Sequence, residues 1–314
     1  MKQMVTSAQA LSLLERQQRN WQAVGESYCA LSQVKIKELK FDGFTIKVQF
    51  NPARIVSSAA KVDSKSIRER KCFLCAANRP LEQEGLPFGD YTVLVNPFPI
   101  FPEHFTIPVN RHEDQQILHH YKDMLELAQA LDKFTIFYNG PKCGASAPDH
   151  MHFQAGNRGF LPIEKEWKAI DHEIIYMKSG LSLYALNNYL RNVLIIESET
   201  KEEAIRAFER IYSMLPIKKG ESEPMMNLLA WHENGWWVTC IFPRDKHRPD
   251  CYYEEGERNL LISPASVDFG GVFITPLEKD FYKVSEIDIR SIFKEVSLNG
   301  EEMDKLVERI KEEL

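Results

Sequence analysis

The run His150-Met151-His152-Phe153-Gln154 constrains this chain more than any other. In an extended strand alternate side chains share a face, so His150, His152 and Gln154 point one way and Met151 and Phe153 the other. The apolar pair needs a core behind it. The polar trio must meet solvent, a ligand or a metal, because burying such groups unpaired is costly. The run predicts a sheet with one face on a core and a polar site on the other, or else a half-exposed strand with polar residues outward. Six of the nine histidines (His104, His112, His119, His120, His150 and His152) crowd into positions 104–152. His119 and His120 read as the polar face of a helix.

Around this strand the hydrophobic pattern alternates between the two periods. Residues 7–24 read as an amphipathic helix. Val34–Leu39 and Phe44–Phe50 read as strands joined by Asp42-Gly43, a strong hairpin signal. Residues 51–71 are polar and basic and read as a long loop. Tyr91–Asn96, Phe105–Val109 and Phe134–Tyr138 read as strands, and Glu113–Lys133 has helical spacing. Residues 139–149 form a Gly/Pro/Ser loop. Further on, 180–196 reads as strand and turn, 201–215 as a helix, and 227–231 with 236–242 as a hairpin. Leu260–Ser263 and Val272–Thr275 are strand candidates, and 287–293 and 301–314 are closing helices. Val93–His112 and Asn227–His247 share a strand, turn, strand, basic-residue order, which suggests a duplicated unit.

A chain of 314 residues holds about two domains at roughly 150 residues each. Its net charge of −6 argues against a nucleic-acid-coating surface. No apolar run approaches the ~20 residues of a membrane span, and the opening segment lacks a signal peptide's apolar stretch. Six irregularly spaced cysteines read as thiols or metal ligands of a cytoplasmic protein.

Cys72-Phe73-Leu74-Cys75 is half of a possible metal site, since a C-x-x-C turn lets two thiolates converge on one ion. It also fits a redox dithiol or two unrelated thiols. As a metal site it needs two more ligands. His112 and His150 are the best candidates, with His104 competing for the His112 role. Such a Cys₂His₂ site would be closed and structural, holding zinc. The small Gly144-Ala145-Ser146 loop lets an anionic group approach backbone N–H groups.

Taken together, Cys72-x-x-Cys75, Val95-Asn96-Pro97-Phe98-Pro99, Ile107–His112, Phe137–Gly140, Gly144–Ser146 and His150-x-His152-x-Gln154 resemble the histidine triad (HIT-like) superfamily. The H-x-H-x-Q form resembles its transferase and phosphorylase branch: galactose-1-phosphate uridylyltransferase, diadenosine tetraphosphate phosphorylase and the GDP-hexose phosphorylases. Residues 150–165 are most similar to the plant GDP-L-galactose phosphorylases. Asn227-Leu228-Leu229, the Trp-rich strand and Pro243-Arg244 resemble the C-terminal part of the diadenosine tetraphosphate phosphorylases. Where the family often has Asn-Pro before the first His, this chain has Pro148-Asp149.

The resemblance implies an α+β fold, a HIT-like antiparallel sheet flanked by helices and duplicated. Residues 1–175 would be the catalytic half with its zinc site, and 176–314 a second, non-catalytic half with C-terminal helices. It implies His152 as the nucleophile that forms a covalent nucleotidyl-histidine. Gln154 and Ser146 would donate to an α-phosphate oxygen, and Gly144 would open the phosphate loop. Cys72, Cys75, His112 and His150 would hold Zn2+. Asn96 and Asn139 fall where the family contacts the nucleotide, though Asn139 equally suits a turn. Arg54, with Lys61, resembles a phosphate-binding basic segment or a solvated loop. The substrate would be a nucleotide sugar or dinucleotide, the acceptor phosphate or a sugar phosphate. A homodimer is a further expectation from the family.

The second half lacks H-x-H where Pro264–Gly271 is taken as the counterpart. Arg244, Lys246 and His247 read as a strand-end cluster or as an acceptor-phosphate site. Trp231, Trp236 and Trp237 read as packing rather than base stacking. Two other classes stay open: a nucleotide hydrolase, against which Gln154 counts in place of a third His, and a non-catalytic, zinc-stabilised nucleotide-binding protein.

Overall fold

The structure is a computed structural model that describes residues 5–55 and 63–313. Ten strands form one antiparallel sheet: β3 (Gly85–Phe88), β4 (Tyr91–Val95), β5 (His104–Pro108), β6 (Phe134–Asn139), β7 (His152–Asn157), β8 (His172–Lys178), β9 (Leu181–Leu186), β10 (Leu194–Ser198), β11 (Met226–Glu233) and β12 (Trp236–Pro243). A smaller sheet joins β1 (Lys35–Phe41), β2 (Phe44–Phe50) and β13 (Val272–Thr275). The β1–β2 hairpin turns through Asp42-Gly43, with Gly43 at φ +81. That is the left-handed backbone a tight hairpin needs.

The large sheet runs β3-β4-β5-β7-β6-β11-β12-β10-β9-β8. Read inward from either edge the order is the same: three meandering strands, then a helix (Tyr121–Ala130 or Lys201–Met214), then a hairpin whose second strand inserts beside the third. The α+β HIT-like expectation stands, with two topologically equivalent halves. β6 and β11 pair across the middle, with Asn139 opposite Asn227. This repeat corrects the internal similarity read from sequence. The counterpart of β4–β5 is β9–β10, not β11–β12. The counterpart of the H-x-H strand β7 is β12, not Pro264–Gly271, and β12 carries no histidine.

Strand alternation sorts the side chains onto two faces. Phe105, Ile107, Phe134, Ile136, Tyr138, Phe153 and Ala155 enter one core, covered by helices Ser7–Asn20, Gln22–Leu31, Tyr121–Ala130, Lys201–Met214 and Gly300–Glu313. The opposite face of the second half, including Leu229, Trp231, Val238 and Phe242, packs under the small sheet and helix Glu286–Val296. In the second half both faces are covered, so β11 and β12 are buried over most of their length. On the first half, that second face is left partly open.

Five local expectations change. Residues 7–24 are two helices broken at the extended Trp21. The Glu113–Lys133 helix begins only at Tyr121, because Glu113 and Gln115 are pinned by backbone bonds to Met151 and Pro148. His120 is therefore buried beside Tyr91 instead of lying on a polar helix face, while His119 is exposed. Leu260–Ser263 is not a strand, and within 51–71 a short helix runs Ser64–Glu69. No helix among the described residues is long and apolar enough to cross a membrane.

Candidate active site

The open face forms a cavity of about 730 Å³. Its floor is the second-face side chains of four neighbouring strands: Leu94, Thr106, Gln154, His152, Phe137 and Asn139. The wall opposite is built by Val267, Asp268 and Ile274 from the C-terminal part of the chain. Gly144, Ser146, Asn96 and Arg54 also line it. The fold thus brings together all seven residues expected to act on substrate, from five segments of the chain. Lys61 lies outside the described residues.

His152 is buried, and its Nδ1 lies 2.8 Å from the His150 carbonyl. A carbonyl only accepts, so Nδ1 carries the proton and Nε2 keeps a lone pair. Burial pushes its pKa down to about 4, so the ring is a neutral imidazole at neutral pH. The backbone of His152 is held by a residue that sequence reasoning missed. Gln115 accepts from His152 N at 2.8 Å and donates to His152 O and to Asn139 O at 3.0 Å each. Regular β6–β7 pairing ends at Phe137–Gln154, and the Gln115 amide bridges the gap beyond it. No local pattern marks Gln115, because its partners are distant in sequence.

Gln154 sits one register step along the same face. Its Oε1 lies 3.0 Å from His104 Nε2 and 3.3 Å from Asn96 Nδ2. His104 is therefore no metal ligand, and its ring belongs to the substrate face. Burial, with the Arg54 charge adding to it, holds His104 down to about 3, so it too is neutral.

Asn139 does not serve as a turn residue. It ends β6, and its Oδ1 accepts from Ser266 N, Ser266 Oγ and Asn227 Nδ2 at 2.7–2.9 Å. Gly144 has φ +97, and a Cβ there would stand 2.5 Å from Ala265 Cβ. Only glycine fits that contact. Arg54, Arg70 and Arg248 line the cavity, against Asp268 as its one carboxylate among the described residues. Arg54 donates to the Phe98 carbonyl, and Arg70 pairs with Asp149. Among the described lining residues three arginines thus face one carboxylate, with Asp149 offsetting Arg70 from outside the lining.

Beside it, Cys72, Cys75, His112 and His150 converge, their ligand atoms all within 4.8 Å of one another. Cys72 Sγ and His150 Nδ1 are 3.2 Å apart, Cys75 Sγ and His112 Nδ1 3.3 Å, Cys75 Sγ and His150 Nδ1 3.6 Å, and the two Nδ1 atoms 3.3 Å. A tetrahedral zinc with bonds of about 2.0–2.3 Å requires edges of about 3.3–3.8 Å. The donor set fits. His150 Nε2 donates to the Val109 carbonyl at 2.8 Å, which turns Nδ1 toward the cluster.

Of the second-half cluster, Arg244 is fully engaged. It donates to Val296, Asn227, Pro264, Lys246 and His247 and stacks on Phe269, so it braces the wall. Lys246 pairs with Asp250 and Glu295, outside the cavity lining. His247 does line the cavity. Trp231 and Trp237 are buried in the cores, and neither they nor Trp236 reach the cavity.

The fold and the H-x-H-x-Q strand define a protein that resembles the histidine triad superfamily in its transferase and phosphorylase form. Comparison with known proteins agrees. Residues 165–314 match the family described as GDPGP1-like, C-terminal domain, and residues 13–157 match a domain of unknown function, DUF4922. The crystal structure of yeast Ap4A phosphorylase Apa2 superposes with a TM-score of 0.53, at 17% identity, covering 88% of this chain and 94% of that one. Its complex with Ap4A gives 0.51 at 15% identity, covering 89% and 97%. No curated protein matches the chain by sequence.

Proposed function

We propose that this protein is a nucleotidyl-transferring phosphorylase acting on a nucleoside diphosphate sugar or a dinucleoside polyphosphate. The observation that carries this is one strand face. His152 presents an unprotonated Nε2 beside the Gln154 amide, in a cavity lined by arginines. His152 Nε2 attacks the α-phosphorus. A P–N bond forms, and the α–β phosphoanhydride P–O bond breaks. The leaving group departs on its β-phosphate oxygen, as a sugar phosphate from a nucleoside diphosphate sugar or as a nucleoside polyphosphate from a dinucleoside polyphosphate. Positive charge on the ring is stabilised by Nδ1–H donating to the His150 carbonyl. Gln154, Ser146 and loop N–H groups stabilise the α-phosphoryl oxygens. In the second step phosphate attacks the same phosphorus, the P–N bond breaks, and a nucleoside diphosphate leaves with His152 restored. Similarity to an Ap4A phosphorylase fold and to the GDPGP1-like family supports the reaction class.

Cys72, Cys75, His112 and His150 would hold a zinc that fixes three segments and the start of β7. The first half, 1–175, would supply the chemistry. The second, 176–314, would complete the cavity through the Val267–Asp268 wall and the Asn227–Asn139 bridge. A cytoplasmic setting accords with cysteines that form no disulfide among the described residues, two of them placed at the zinc site.

Intact-mass analysis after incubation with GDP-glucose, UDP-glucose or Ap4A should reveal one nucleotidyl adduct, released by added phosphate as a nucleoside diphosphate. His152→Ala should abolish it. Persistence of the adduct in that variant, or turnover without phosphate, would refute the mechanism.

A further inference from the structure

We infer that His104 and Asn96 are positioning residues that fix which end of the Gln154 amide faces the substrate. The inference rests on the proposed transfer through His152. A glutamine amide can present either its oxygen or its NH2 group, and the two are opposite in sign to a phosphate oxygen. Two backbone N–H groups, which can only donate, decide the matter here. The Ile100 N–H donates to His104 Nδ1 at 3.0 Å. A neutral imidazole with Nδ1 as acceptor must carry its proton on Nε2. Nε2–H therefore donates to Gln154 at 3.0 Å, and the atom it meets must be the oxygen.

The second backbone group repeats the logic. The Phe98 N–H donates to Asn96 at 2.9 Å, so that atom of Asn96 is Oδ1 and the other is the NH2 group. Asn96 Nδ2 then spends its two protons on Thr106 Oγ at 3.0 Å and Gln154 Oε1 at 3.3 Å. With Oε1 held by two donors, the Gln154 NH2 group is left toward the cavity, where it can bind only an acceptor. Flipping it would set NH2 against two N–H donors and present a carbonyl oxygen to phosphate. The segment 96–100 thus acts through Asn96 and His104 on the phosphate-binding amide.

His104 is held for this role by packing. It is fully buried, edge-on to Phe101 with centroids 5.2 Å apart and beside Phe137 at 5.8 Å. A phenylalanine in its place keeps the shape and loses the N–H.

The test is a double-mutant cycle on His152 labelling. GDP-glucose, UDP-glucose and Ap4A are each offered, and the fastest labelling probe is used. His104→Phe should slow labelling at saturating probe at least tenfold, and by no more than Gln154→Ala does. In the Gln154→Ala background, His104→Phe should change the rate less than about twofold. Multiplied losses in the double variant would overturn the inference while leaving the nucleotidyl transfer intact. A second measurement needs neither variant nor substrate. In histidine-¹⁵N-labelled wild type at neutral pH, the His104 ring, assigned through the Ile100 amide, should be the Nε2–H tautomer. A proton on Nδ1, or on both nitrogens, overturns the inference. If no probe labels His152, the proposed function fails and the tautomer alone decides this one.

Discussion

Gln115→Leu tests the claim that one buried amide substitutes for a missing strand partner beside His152, the proposed nucleophile. The substitution preserves much of the side chain's volume and leaves little room for a replacing water. It orphans three buried backbone groups: His152 N–H, His152 C=O and Asn139 C=O. At about 1–2 kcal/mol for each group left unsatisfied, the loss is about 3–6 kcal/mol. An unfolding entropy of ~2.1 cal/mol/K per residue gives about 0.66 kcal/mol/K for 314 residues, so Tm should fall by about 5–9 °C. Differential scanning calorimetry reads this directly. The same variant frees the His152 backbone, so labelling should slow at least tenfold at temperatures where the protein is fully folded. Gln115→Glu is the control for charge and shape. It keeps an acceptor for His152 N but aims an oxygen at two carbonyls, and should be at least as damaging. A Tm within about 2 °C of wild type for Gln115→Leu would refute the bridging role.

Two further outcomes follow from the same geometry. Purified protein should contain about one zinc per chain, as one closed four-ligand site requires; Cys75→Ser should lose it and melt at lower temperature, and metal-free protein with an unchanged melt would overturn the assignment. Glu223 is buried, accepting from Tyr138 O–H at 2.5 Å and Ile117 N–H at 2.8 Å, and burial raises its pKa to about 7. Its unfolded value is about 4.3, so between the two the folded state holds a proton the unfolded state has lost, and stability falls as pH rises, by up to about 1.4 kcal/mol per pH unit. Glu223→Gln should remove that contribution, so denaturation midpoints between about pH 5 and 7 should decline less steeply than in wild type; equal slopes would refute it.

The alternation of His152 and Gln154 with Phe153 placed the polar face and the core face of β7, because a strand's period of two leaves no freedom once one face is apolar. The Cys72-x-x-Cys75 spacing likewise marked its turn, where Cys75 N bonds back to Cys72 O. His112 and His150 were chosen by position along the chain, and the fold brings them to that turn.

His104 shows where such reading stops. From sequence it is one more histidine in a crowded window, equally suited to metal or core. Its partners, Ile100 N and Gln154, meet it only when β5 lies against β7. Gln115, Asn227 and Arg244 are hidden for the same reason, since each acts on backbone or side chains from distant segments. The repeated half was misaligned because the similarity between Val93–His112 and Asn227–His247 is one of local pattern. Strand order is set by long-range pairing instead.

The sequence by itself determined which groups the β7 strand presents, a histidine and a glutamine on one face fixed by local periodicity, and it marked one C-x-x-C turn. Only the tertiary structure decided their protonation and orientation. Those depend on which carbonyl or N–H a ring or amide meets, and such contacts exist only once distant strands are packed together.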